Sequence, residues 1–309
     1  MNLFEYTYDL VRQIPDGMVS SYGAVARALG DIRASRAVGR MMNQNPDPDS
    51  MPCFKIVYSD GKIGGFGRGI QDKIKRLKED NIDVKNGEIV DFENVFFNDF
   101  KTDYPLKKLR EKQIKVSKKI KINDNYDKID TVAGFDVAYP KNDFEKACAA
   151  AIVIDYKTKE IIEKETVFDT IFFPYIPTYL SFREAPIIQK VIENLKIKPS
   201  ICIFDGNGVL HQRGLGIASY LGVLNSFSTI GVAKKLLFGE LKGNVVKYKD
   251  KKIGYSYISN KQVKNPIYVS PGHKISFDAS IKIVKKISKY RIPEPIRQAH
   301  ILANKTVRS

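Results

Sequence analysis

The apolar positions of residues 19–45 fall in two short blocks around a polar turn, and each block reads as a helix. Ser20 or Ser21 is placed to cap the first, Gly30 to end it, and the second, arginine-bearing block runs to an Asn45-Pro46 stop. Two short helices joined by a tight turn predict a helix-turn-helix. Downstream, Ile56-Val57-Tyr58 is a short strand-like stretch, and Leu106, Leu109, Ile114 and Val116 are spaced for an amphipathic helix. From residue 131 the pattern changes. Thr131–Tyr139, Ala147–Asp155 and Ile161–Phe168 read as strands, the last two joined by a Lys157-Thr158-Lys159 turn, so an antiparallel meander is expected before any helix. Ser200–Gly208 is a further apolar strand ending in an acid and glycines, and helices such as Ala185–Leu195 between strands predict an α/β sheet.

At 309 residues the chain exceeds one typical domain of about 100–200 residues. Charge distribution and motif content change near residue 100, so two domains, 1–100 and 101–309, are expected. The longest apolar run, Ala147–Ile154, falls far short of the about 20 residues that a membrane-spanning helix requires, so no membrane partner is expected. No basic-then-apolar leader opens the chain, and three scattered cysteines (53, 148 and 202) make no disulfide framework; both fit a reducing cytoplasm.

A net charge of +16 points to a polyanionic partner, with nucleic acid the simplest. The basic residues are densest from Lys101 to Lys121, which suits either a phosphate-tracking surface or a solvated helix face.

Candidate chemistry falls at two places. Cys53 follows a rigid proline and precedes an apolar stretch; a thiolate attacks carbon without a metal, although a lone cysteine among apolar neighbours is commonly an inert core residue. In the second half, Asp136 interrupts the apolar strand Thr131–Tyr139, which is costly unless the acid is paired or binds a cation. Asp205 ends another strand at Gly206-Asn207-Gly208, a sequence that also suits a turn or helix cap. Two acids at neighbouring strand ends repel each other and predict Mg²⁺ or Mn²⁺, with Glu184 and His300 available to complete the site. Such a site can hydrolyse a phosphodiester. Cys148 and Cys202 lie in apolar runs and are expected in the core, and His273 is expected to be structural, in a tight Pro-Gly-His turn.

Tyr22-Gly23, Arg36-Ala37-Val38-Gly39, Asn45-Pro46, Pro52-Cys53 and Gly64-Gly65-Phe66 resemble the DNA-binding domain of the O6-alkylguanine-DNA alkyltransferases over roughly residues 1–85. The resemblance implies a winged helix-turn-helix-like domain in which Cys53 irreversibly accepts the alkyl group without a cofactor. It also implies that Arg36 fills the gap left by a flipped nucleotide, that Tyr22 rotates the phosphate, and that Asn45 belongs to the DNA-binding motif. The family usually carries a histidine and an arginine after the cysteine, whereas Phe54 and Lys55 stand here. Thiol activation is then expected from a positive helix terminus, Lys55 or solvent.

Ala133-Gly134-Phe135-Asp136, Pro174-Tyr175-Ile176-Pro177, Leu180–Glu184, Asp205-Gly206-Asn207-Gly208 and Gly231–Lys234 resemble endonuclease V over roughly residues 104–305. That resemblance implies an RNase H-like α/β fold and a Mg²⁺-dependent nick at the second phosphodiester 3′ to deoxyinosine. Asp136, Glu184 and Asp205, with His300, become the metal site, and His211 and Lys234 contact the cleaved phosphate region. Pro174, Tyr175, Ile176 and Pro177 form the strand-separating wedge, or on a plainer reading a proline-rich surface turn. Leu180, Gly206, Gly208 and Gly216 line the base pocket. Gln212-Arg213-Gly214-Leu215 departs from the family, so altered DNA-backbone contacts are expected there.

Together these readings predict a monomeric, bifunctional DNA repair protein acting on O6-alkylguanine and deoxyinosine. Neither reaction needs the other's site, so tethering is expected to raise local DNA affinity. Two alternatives remain: an amino-terminal domain that only senses alkylated guanine and delivers the nuclease, or a nuclease acting on inosine in RNA.

Overall fold

The computed structural model describes every residue except Pro46, Asn142, Phe144, Lys261 and Ser309. The chain divides into two compact units, Met1–Glu111 with Phe172–Pro177, and Lys112–Ile171 with Thr178–Ser309.

In the first unit, α1 (Leu3–Val11) is capped by the Asn2 side chain, which accepts from the Phe4 N–H at 3.0 Å. β1 (Ser20–Ser21) leads into α2 (Tyr22–Leu29), where Ser21 Oγ accepts from the Ala24 N–H at 3.0 Å; of the two predicted caps, Ser21 is the one used. Gly30 ends α2 in the left-handed region at φ 100°, where a side chain would also collide with the Lys107 backbone. The connecting turn is a 3₁₀ turn over Ile32–Ala34 capped by Asp31. The second helix, α3 (Ser35–Asn43), ends before Asn45, and Pro46, its expected stop, lies outside the described residues.

Cys53 begins another 3₁₀ turn, Cys53–Lys55, that runs into β2 (Ile56–Val57), which pairs in parallel with β1. α4 (Ile70–Glu79) follows, then a small hairpin of β3 (Val84–Lys85) and β4 (Glu88–Ile89). Val19, Val57, Ile63, Leu77, Ile82 and Ile89 form the core beneath this wing.

The basic stretch does form a helix, α5 (Pro105–Ser117). Its apolar pattern is only partly obeyed: Leu106 is buried, but Ile114 is exposed while polar Gln113 is buried, because Gln113 donates to Thr178 O at 2.9 Å and accepts from Arg213 Nε at 2.6 Å.

The second unit opens with the predicted meander, β5 (Thr131–Ala138), β6 (Lys146–Asp155) and β7 (Ile161–Thr170), antiparallel throughout. α6 (Leu180–Asn194) starts five residues earlier than the sequence suggested. Pro186 favours a helix's first turn, yet here it lies inside α6, so Arg183 and Glu184 are helical. β8 (Ile201–Asp205), α7 (Ile217–Asn225) and β9 (Thr229–Ala233) add parallel strands on β5; β10 (Glu240–Lys242), β11 (Val245–Tyr248), β12 (Lys251–Tyr257) and β13 (Ile267–His273) extend the sheet antiparallel. The nine strands run β10-β11-β12-β13-β9-β8-β5-β6-β7. Pro271-Gly272-His273 is therefore strand with an irregularity in register, not a turn; His273 is structural as expected, its Nδ1 accepting from the Lys121 N–H at 3.2 Å.

Side chains alternate between two cores. Val132, Ile152, Ile203 and Val232 face α8 (Phe277–Ile287) and α9 (Glu294–Thr306); Ala133, Phe135, Cys202 and Phe204 face α6 and α7. Cys148 and Cys202 are buried core residues. Among the described residues no helix is long and apolar enough to cross a membrane.

Candidate functional sites

The carboxylate site forms where the sheet's two faces meet at one strand end. β5 and β8 are parallel with Phe135 opposite Phe204, and the two rings stack 4.8 Å apart. Asp136 and Asp205 are the next residues on each strand and thus emerge side by side on the α9 face. Gly134 lets α9 approach: a Cβ there would strike the backbone of Pro295 and Ile296. One and a half turns later His300 Nδ1 lies 2.6 Å from Asp136 Oδ2. Lys234, just beyond β9, forms an ion pair with Asp205, and its backbone carbonyl accepts from Arg291 NH2 at 2.8 Å. Glu184 approaches from the α6 face, where Tyr139 OH donates to its Oε1 at 2.7 Å and Arg183 Nε in turn reaches Tyr139 OH at 3.1 Å.

Electrostatics couple these groups. Burial, then the charge of Asp205, lifts Asp136 to about 6 despite Lys234 and His300. Burial lifts Glu184 to about 8; the Tyr139 hydrogen bond opposes this, while Asp136 and Asp205 add to it. Burial pulls Lys234 down, but Asp205 and Asp136 more than offset it. Among the described residues no three His, Cys, Asp or Glu side chains converge on an ion position as they stand. Asp136, Glu184 and Asp205 are instead turned toward His300, Tyr139 and Lys234. As a donor set they fit a divalent cation: three hard oxygen donors, two of them raised by burial first and by the charge of neighbouring acids after it, which incoming positive charge would relieve.

The other expected residues of this unit fall differently. His211 is buried; its Nδ1 accepts from the Arg213 N–H at 3.2 Å and its Nε2 lies 3.2 Å from Thr178 O. Arg213, expected to alter DNA contacts, works internally: its NH2 donates to Thr178 O at 2.7 Å and Oγ1 at 2.6 Å, and its guanidinium lies over Tyr179. Leu180 and Ile217 lie against Gly206, whereas the open sides of Gly208 and Gly216 face the carbonyls of Pro271 and Asn207. The close backbone approach that those two glycines allow is thus made by the chain itself. Tyr139, Arg183 and Arg291 carry contacts that the motif reading did not assign. The signal was available only for Arg183, as neighbour of Glu184.

In the first unit a cavity of about 570 Å³ is lined by Tyr22, Arg36, Met42, Cys53, Tyr58 and Phe66 among others. Cys53 is 2% exposed, and Asn45 Nδ2 donates to its Sγ at 3.4 Å. Burial pushes the thiol up; Asn45, Lys73 and Arg76 oppose it. Tyr22 is raised to about 12, by burial first and then by Tyr58 and Cys53. Arg36 is exposed on α3. Lys55 is not the activating charge: it is 3% exposed and held by Asp16 at 3.1 Å, Asp80 at 3.0 Å and Pro15 O at 3.0 Å. In the segment Phe172–Pro177, Ile176 is fully buried and Pro174 is buried, while the Tyr175 ring is 55% exposed.

The unit whose sheet carries acids at adjacent strand ends and the helix-turn-helix unit with a cysteine at its cavity each match known proteins. The family model for endonuclease V covers residues 114–301, and that for the DNA-binding domain of 6-O-methylguanine DNA methyltransferase covers residues 2–82. A bifunctional methyltransferase/endonuclease of Picrophilus torridus is 38% identical over 97% of this chain and 95% of its own length; the one from Thermoplasma volcanium is 38% identical over 97% and 89%. Among solved structures, the catalytic domain of human endonuclease V aligns with a TM-score of 0.63 at 28% identity, covering 67% of this chain and 98% of that one. Ciona intestinalis endonuclease V, in complex with DNA containing an inosine, aligns at 0.62 and 32%, covering 67% and 99%. The chain belongs to the endonuclease V family, in the bifunctional form that carries a methyltransferase DNA-binding domain at its amino terminus.

Proposed function

We propose that this chain repairs two kinds of damaged purine in DNA. One reaction moves an alkyl group irreversibly from O6-alkylguanine to Cys53; the other nicks the second phosphodiester 3′ to deoxyinosine with Mg²⁺. The observation that carries the nuclease reading is the meeting of Asp136, Glu184 and Asp205 with Lys234 at one strand end. Asp136, Asp205, Glu184 and His300 would hold Mg²⁺, which when bound would activate water and neutralise charge on the leaving oxygen.

The remaining work falls to this chain's own groups. Lys234, freed from Asp205, supplies a cation to the phosphate, and His300 holds Asp136 in orientation from α9. The exposed Tyr175 ring, on a segment anchored by Ile176, is suited to stack in place of an extruded base, with Pro174 and Pro177 stiffening it. Leu180 beside Gly206 forms the side on which the base is held, Gly208 and Gly216 shape that loop by letting it pack closely on Pro271 and Asn207, and His211 fixes it against Thr178.

In the first unit the cavity at Cys53 admits a flipped guanine, with Tyr22 and Arg36 at its wall and Asn45 fixing the thiol. The domains work as 1–100 and 101–309, in a monomer within a reducing cytoplasm, where the three free cysteines stay reduced.

The test uses the full chain on two duplexes. Mg²⁺-dependent nicking of a single deoxyinosine should vanish in Asp136→Ala and Asp205→Ala, and the Cys53 peptide should gain one methyl from O6-methylguanine DNA without metal. Nicking that survives either substitution overturns the nuclease reading. An unmodified Cys53 peptide from protein that still binds the lesion reduces the first unit to a sensor.

A further inference from the structure

We propose that Arg213 and Gln113 hold Thr178 in a left-handed backbone conformation and so set the direction in which the chain passes from the Pro174–Pro177 segment into α6. They are positioning residues for the wedge, and the inference rests on reading that segment as the wedge.

Thr178 is the single residue between Pro177 and Tyr179, the N-cap of α6. Its φ is 72°. That region crowds the Cβ of an L residue against the following carbonyl, and a branched side chain fits it worst, so Thr178 keeps this conformation only where its surroundings force it. A change of φ there redirects the chain between Pro177 and α6, whose first residue, Leu180, bounds the base side and whose second turn carries Glu184.

The force comes from side chains on two distant stretches. On the Thr178 carbonyl oxygen converge Gln113 Nε2 at 2.9 Å, from α5, and Arg213 NH2 at 2.7 Å, from the loop between β8 and α7. His211 joins them: its Nδ1 accepts from the Arg213 N–H, which leaves the proton on Nε2, 3.2 Å from the same oxygen. Arg213 NH2 also donates to Thr178 Oγ1 at 2.6 Å, and its Nε donates to Gln113 Oε1 at 2.6 Å. Gln113, Arg213 and Thr178 thereby close a ring of hydrogen bonds. The guanidinium lies 4.9 Å from the centroid of the Tyr179 ring, and Tyr179 and Gln113 are both fully buried. One planar fork thus grips the carbonyl and hydroxyl of the strained residue and covers the ring of the next. A buried glutamine holds the fork in turn. The basic stretch gains a task that its charge does not announce, since the polar residue that α5 buries serves this bracket.

The test separates the bracket from the wedge. Amide exchange over residues 172–182, followed by mass spectrometry in the free full chain, should be about tenfold faster or more in Arg213→Met, Arg213→Lys and Gln113→Leu than in the wild type, because exchange reads the local opening that the bracket suppresses. Exchange unchanged in all three overturns the proposal. The second reading uses a duplex with 2-aminopurine beside deoxyinosine, bound with Ca²⁺ in place of Mg²⁺, whose fluorescence rises as an inserted side chain unstacks the neighbouring base. At saturating protein Arg213→Lys should lose most of that rise: an ammonium keeps a contact to phosphate but cannot serve Thr178 and Gln113 as a fork does. A full rise in Arg213→Lys overturns the proposal. Should the apolar variants fail to fold, Arg213→Lys, which keeps the charge and most of the stem, carries both readings. If Tyr175→Ala leaves the rise intact while exchange still depends on Arg213, the wedge reading fails and the hold on Thr178 stands.

Discussion

The two candidate centres are both buried, and burial acts on both in the same direction: it lifts the Cys53 thiol and it lifts Asp136 and Glu184. They differ in how the fold supplies the missing positive charge. Around Cys53 what opposes burial is internal, first the Asn45 amide and then the more distant charges of Lys73 and Arg76 on α4, and the thiol still stays raised. Around the carboxylates one lysine, Lys234, and one histidine, His300, face three acids, so the balance is left short by the charge that a divalent ion carries. A single-turnover transfer needs only an internal counter-charge, whereas phosphodiester cleavage must neutralise charge that develops on the substrate.

The contrast can be broken most sharply by removing one nucleophile or one ligand. Cys53→Ser should abolish methyl uptake and leave inosine nicking intact, and Asp136→Ala should cut nicking by about 10³-fold or more while leaving uptake unchanged, both read on one preparation with two duplexes. Lys234→Ala should cost about 10²-fold in nicking rate at saturating Mg²⁺, because the internal cation aids the phosphate as well as Asp205.

Dependence on pH sharpens the comparison further. The folded values of Asp136 and Glu184, about 6 and about 8, lie above ordinary carboxylate values, so the folded chain holds extra protons. The associated stabilisation is full below the unfolded values and is lost as pH rises through about 6 and about 8. Calorimetry should show the melting temperature of metal-free protein falling over that window and Mg²⁺ affinity rising, by up to about tenfold per unit for each proton displaced. Tyr139→Phe should move the upper part of that affinity profile to higher pH by less than a unit, because the hydroxyl holds Glu184 down. The smallest effect expected lies outside both centres: Ser21→Ala removes the cap of α2 and should cost about 1 kcal/mol in urea unfolding.

Much of this was legible along the chain, because local rules were obeyed where they were strong. Gly30 and Ser21 bound α2 as their chemistry requires, and the apolar runs of β5, β6 and β8 became strands. Misreadings arose where a tertiary contact outweighed a local preference. Gln113 is buried and Ile114 exposed because Arg213 and Thr178 satisfy the amide; α6 begins at Leu180 despite Pro186; and Pro271-Gly272-His273 continues a strand because β9 offers a partner.

By itself the sequence determined which residue types could do chemistry, a thiol after proline and acids inside apolar strands, since an unpaired acid or a reactive thiol is conspicuous at its own position. Only the tertiary structure decided their partners. Asn45, not an adjacent residue, donates to the Cys53 thiol, and His300 is separated from Asp136 by the whole sheet in sequence yet is set beside it by α9 on Gly134. Charge compensation acts through space over a few ångströms, and spacing along the chain carries no record of which groups the fold will bring within that range.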